Sequence, residues 1–169
     1  MLTDFYGNHL TTSTGLARDS YDIGLRAFLS ANYGAQEAFS QSIEADPNFA
    51  LAYLGLFRAF MSSGQVVDAK AALGKAKNLL DGLTDREKSH FSCCEFILLG
   101  EAKKARAAVH DHVLEWPRDA MVAQMNTSVF GLIGFSGEVG REVDLLNYTE
   151  KLLPHYGDDW WMMSMHAIS

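Results

Sequence analysis

Three prolines and four of the glycines divide this chain at nearly even intervals. Pro47 and Pro117 stand 70 residues apart, and Pro154 follows after a further 37. Gly34, Gly64, Gly100 and Gly134 fall between them at gaps of 30, 36 and 34. Proline disfavours helix in the residue before it, and glycine takes the left-handed turn after a helix without steric cost. The alternation therefore describes helix, glycine turn, helix, proline turn, repeated along the chain. The segments between breakers carry helical periodicity. Ala69, Ala72, Leu73, Ala76 and Leu80 recur three or four apart, as do Ala102, Ala105, Val109, Val113 and Trp116. No run of Val, Ile and Thr alternates with period two, so no strands are expected. The spacing predicts helices over 17–32, 35–45, 49–62, 66–80, 85–99, 102–116, 119–133, 139–153 and 159–168. Thr84 and Glu87 have the spacing of a capping box that opens the fifth.

The expected fold is all-α: an α-α superhelix of about four antiparallel helix pairs with a final single helix. It occupies 1–169 as one domain, with units at 16–47, 48–83, 84–118 and 119–156 and a lone helix at 158–169. A length of 169 residues suffices to bury a core. The net charge of -7 argues against a nucleic-acid partner. No apolar run approaches the ~20 residues that span a bilayer, and Met1–Phe5 lacks the regions of a signal peptide. A cytoplasmic protein is expected. Its adjacent cysteines, Cys93 and Cys94, then read as reduced structural thiols, because helical neighbours point about 100° apart and resist bridging.

Within the units, small residues recur where helix backbones approach, with large ones around them. The second unit reads Tyr53-x2-Leu56-Phe57-x2-Phe60, then Ala69-x3-Leu73-x2-Ala76. The first has Ile23-Gly24, then Ala35-x3-Phe39-x2-Ser42; the third has Cys93 and Phe96, then Ala105-x3-Val109-x2-His112. This pattern resembles the tetratricopeptide repeat superfamily. Tyr33-Gly34, Asp46-Pro47-Asn48-Phe49-Ala50-Leu51-Ala52, Gly134-Phe135-Ser136-Gly137 and Tyr156-Gly157-Asp158-Asp159-Trp160-Trp161 narrow the likeness. With these the chain is similar to the N-terminal part of the tetratricopeptide repeat protein 38 family. The resemblance implies a fold and no catalytic activity, and a natural protein that continues past Ser169. The fourth unit departs from the pattern: Asn126-Thr127 replaces its large-small pair, and its turn is lengthened.

Several clusters carry chemistry in principle. His110 and His112, two apart on a helix, point to different faces and make a poor metal pair, so no metal and no cofactor are expected. His90 and Cys94 share a face, which allows an imidazole–thiolate pair, but no oxyanion motif accompanies them. Asp158-Asp159 before Trp160-Trp161 reads as a helix cap followed by core. Lys103, Lys104 and Arg106 read as a solvated face.

In repeats of this kind the first helices line a concave surface. That expectation places Leu54, Arg58 and Met61, then His90, Cys94 and Ile97, then Gln124 and Ser128 along one groove. The strip suits a protein or peptide partner. A scaffold for protein–protein interaction is the leading expectation. The alternative is an enzyme or small-molecule binder built on His90 and Cys94. The last helix is apolar nearly all round, so Trp160, Trp161 and Met163 form an expected surface for self-association or chain continuation.

Overall fold

The computed structural model describes residues 2–169, which contain nine α-helices and no strand. They are α1 (Gly15–Leu29), α2 (Ala35–Ala45), α3 (Ala50–Ser62), α4 (Val66–Lys77), α5 (Asp85–Leu98), α6 (Ala102–Glu115), α7 (Ala120–Asn126), α8 (Arg141–Tyr156) and α9 (Trp160–Ala167). Short 3-10 turns lie at Leu80–Gly82 and Gly134–Ser136. Adjacent helices pack as pairs, α1 on α2, α3 on α4 and α5 on α6, and each pair packs on the next. The chain is thus an all-α helical-repeat superhelix. Among the described residues no helix is long and apolar enough to cross a membrane.

Local chemistry sets the helix ends. Gly34, Gly64 and Gly100 all take positive φ at their turns. Thr84 and Glu87 form the expected capping box, with the Thr84 amide donating to Glu87 Oε2 at 3.0 Å. Pro154 departs from expectation: it lies inside α8 and the helix runs on to Tyr156. Proline here costs only the bond to the Glu150 carbonyl, and Glu150 is exposed, so water can satisfy that oxygen.

The largest departure is α7. A helix over 119–133 was expected, but it stops at Asn126. Thr127 is extended, with ψ 164, and Ser128 is left-handed. The chain then folds back so that the Leu132 amide reaches the Met125 carbonyl at 2.8 Å. A Cβ at Gly131 would sit 2.1 Å from the Thr127 oxygen, and one at Gly134 would sit 2.3 Å from the Val129 oxygen. Only glycine fits this turn at either position.

The superhelix closes on itself. α1 packs against α3, α3 against α5, and α1 also reaches α7. Small residues permit the approach. The Phe39 ring lies between Gly24 of α1 and Gly55 of α3, with Tyr21 at 5.6 Å. The inner side of the superhelix is therefore core, filled by Leu25, Leu51, Leu54, Phe57 and Met121 among others.

Residues 2–14 strap one end of this closed stack. A Thr3–His9 bridge and an Asp4 carboxylate that accepts from the Tyr6 and Asn8 amides shape a tight turn at Gly7. Tyr6 and Leu10 are buried. The strap crosses the N-terminal ends of α3, α5, α7 and α9. Thr12 Oγ1 donates to Asp46, the Thr11 amide donates to Glu87, Arg118 Nε donates to the Tyr6 carbonyl and Tyr6 Oη donates to Asp159.

Two glycines test this packing in opposite directions. An alanine at Gly55 gains up to ~1 kcal/mol of helix propensity. Its Cβ, however, would stand 2.4 Å from the Phe39 ring, which Gly24 holds from the other side. Overpacking of that kind costs ~1–3 kcal/mol. Gly55→Ala is therefore expected to lower the urea midpoint. Gly74→Ala in α4, where a Cβ meets nothing within 4 Å, is expected to raise stability by about 0.5–1 kcal/mol.

Candidate functional site

The closed superhelix divides the expected groove in two. Leu54, His90 and Cys94 are fully buried. They correct the sequence expectation: residues facing the axis of the stack line an open groove only while the stack stays open, and α1 against α7 shuts it. Arg58, Met61, Ile97, Gln124 and Ser128 are half-buried. Met61 packs against the core. The other four sit near the C-terminal ends of α3, α5 and α7, away from the strap.

At the strapped end the buried polar groups converge on Asp119. Its Oδ2 accepts from Arg86 Nη1 at 2.5 Å, with His90 Nδ1 at 3.4 Å and His112 Nε2 at 3.3 Å. Its other oxygen caps α7 through the Val122 amide. Arg86 also donates to the His9 carbonyl at 2.9 Å, which joins the strap to the cluster. His112 Nδ1 meets Ser89 Oγ at 2.9 Å. Burial alone would raise the Asp119 pKa, but nearby His90 and Arg86, together with the His112 ring, hold it well below the usual carboxylate value. Burial pushes the His90 pKa down, which favours the neutral ring. Everything in this cluster is enclosed, and the positive charge beside Asp119 is a guanidinium.

The thiols are enclosed as well. Both cysteines are free and buried. Burial pushes Cys93 up to about 12 and Cys94 higher still, with Arg58 only partly opposing it. A protonated, inaccessible thiol is a poor nucleophile.

The opposite end of the stack carries a pocket of about 560 Å³. Arg58, Ile97, Gln124 and Ser128 line it from three helices and the turn after α7. Lys103 and Arg106 of α6 supply a second wall, and Phe130, Phe135 and Glu138 the third. Arg58 Nη2 donates to Gln124 Oε1, and the guanidinium stands 5.4 Å from the Phe28 ring centre. Its Nε is sealed from solvent with no hydrogen-bond partner. Burial lowers the Arg58 pKa. Arg106 is paired with Glu138 at 2.5 Å. Ser128 holds φ at 64°, an unfavourable conformation for a residue with a Cβ, and its Oγ accepts from the Phe130 amide at 3.2 Å. Phe130 and Phe135 are largely exposed, with ring centres 5.8 Å apart.

Compared with protein-family models, with curated proteins and with solved structures, the chain matches none. Its site therefore has to be read from its own geometry.

Residues 128–138 were expected to be the end of a helix and a plain turn, so Phe130 and Phe135 did not figure in the expected site. The available signal was the cluster Thr127-Ser128 with Gly131, which breaks helical patterning. The strap was likewise not anticipated; Gly7-Asn8 marked its turn. At the other terminus, Trp161 corrects the expected surface, because it is buried with its ring 5.6 Å from Tyr156. Trp160 and Met163 are exposed on the outer side of α9.

Two solution measurements follow from the enclosed groups. Alkylation of Cys93 and Cys94 in the native protein is expected to be slow and to become complete on denaturation; mass spectrometry of the labelled chain would show it, and rapid native labelling of Cys94 would contradict the burial. For pH, a His90 pKa lowered in the fold means that the unfolded chain takes up the proton first. That stability is fully present above the ordinary value of 6.5 and is lost as pH falls through the lower folded value. In a His110→Gln background, which removes the other histidine with a lowered pKa, the melting midpoint should still drop below pH 6.5.

Proposed function

We propose that this chain is a tetratricopeptide-like binding module rather than an enzyme, and that it holds a short segment of a partner protein at the pocket between α3, α5, α7 and the 127–140 turn. The observation that carries this reading is convergence. Arg58, Ile97, Gln124 and Ser128, half of the expected recognition strip, line one pocket although they come from three separate units. The exposed Phe130 and Phe135 at its mouth supply rigid aromatic area of the kind that anchors interfaces. A strained residue on the connecting turn adds support, since strain of this kind clusters at binding sites. The occupant sits at one end of the stack and not along its axis. Burial of His90 and Cys94 counts against a thiol-dependent enzyme. The acidic balance and the free thiols support a reducing, cytoplasmic setting.

Peptide-display selection against the whole chain would test the reading. Enriched peptides are expected to bind saturably by fluorescence anisotropy. Phe135→Asp should weaken them about tenfold or more, in line with the loss of one aromatic anchor. Val67→Asp, on the exposed face of α4, should leave them unchanged. Equal loss in both variants, or no enrichment, would remove the proposal.

A further inference from the structure

The charge balance of the pocket is opposite to that of the chain. Its lining carries Arg58, Lys103 and Arg106 against a single carboxylate, Glu138, in a chain of net charge -7. Glu138 is already engaged by Arg106. Neither Arg58 nor Lys103 has a carboxylate within ion-pair distance among the described residues. Lys103 stands in solvent and needs none. Arg58 is different. Its guanidinium is bonded once to a neutral amide, faced by an aromatic ring, and left with Nε sealed and unpartnered.

Arginine does not escape such a site by losing its proton. A desolvated guanidinium without a counter-charge costs stability, and an apolar side chain of similar length would pack there at lower cost. An anion at the pocket wall would offset that cost at Arg58. The first turn of α6, whose Ala102 and Lys103 line the same pocket, has no side-chain cap.

We propose that Arg58 receives an acidic group of the bound segment, a carboxylate or a phosphate, in this pocket, with the segment's apolar side chain against Ile97 and the Phe130–Phe135 pair. A planar fork of N–H donors suits a carboxylate or a phosphate monoester alike. The volume of about 560 Å³ accommodates a ligand of one ring plus its acid group. This inference rests on the pocket being the site that holds the partner segment; small acids stand in for that segment's acidic side chain in the test.

Calorimetric titration of the full chain at constant ionic strength tests it, with benzoate, phenyl phosphate, inorganic phosphate and neutral phenol as probes. Benzoate or phenyl phosphate should bind saturably at one site per chain, and phenol should not. Whichever acid binds tighter identifies the oxyanion. Inorganic phosphate should bind more weakly than either, for want of an apolar body. Arg58→Met should weaken binding about tenfold or more, as loss of a charge-assisted hydrogen bond does. It should also leave the unliganded melting midpoint equal to or above that of the parent. Should Arg58→Met fail to fold, Arg58 is a structural strut and the proposal falls unless Lys103→Gln, at an exposed position, weakens binding two- to threefold. Non-saturating titrations, equal binding of phenol, or undiminished binding in Arg58→Met would overturn it. Peptides that bind at Phe135 and survive Arg58→Met would leave the binding module standing and remove only the anion site.

Discussion

A single carboxylate, Asp119, holds three parts of this protein in register. One oxygen caps α7, and the other pairs with Arg86 of α5, which in turn bonds the His9 carbonyl of the strap. His90 and His112 face the same oxygen from α5 and α6. Burying two charges has a desolvation cost that their attraction repays only with good geometry and further hydrogen bonds. Here the further bonds come from the terminal segment. The strap, the α5 start and the α7 start therefore depend on one another: without the strap, Arg86 loses an acceptor, and without Arg86, Asp119 loses its guanidinium partner.

The same closure explains why one end of the stack is sealed and the other is open. α1, α3, α5 and α7 pack together along the axis, so Leu54, His90 and Cys94 become core. The pocket at the C-terminal ends of α3 and α5 lies where an element is missing. α7 is cut short at Asn126, and the turn that replaces its last two helical turns bends over the C-terminal ends of α3 and α5. The pocket is thus made by the irregular unit, and its aromatic mouth by residues that a regular repeat would have placed on a helix.

Much of the repeat architecture was legible in the residues themselves. Ala35–Ala45 and the starts of α4 and α6 lie where the breakers place them, because glycine turns and small-residue spacing are local properties of the chain. The site was half legible. Arg58, Ile97, Gln124 and Ser128 were reachable by carrying a repeat pattern across units. Phe130, Phe135, the strap and the Asp119 cluster were not, since each depends on contacts between residues far apart in sequence, such as Arg86 with Asp119 and Thr11 with Glu87.

Periodicity by itself determined that this chain forms paired helices and where most of them turn, because a helix needs only its own backbone bonds and one apolar face. Tertiary structure alone decided whether the inner face of those helices would be a groove or a core. That choice turns on which helices pack across the stack, α1 on α3, α3 on α5 and α1 on α7. It also decided that Arg58 would lie on a pocket wall without a carboxylate partner, because pairing is a property of neighbours in space.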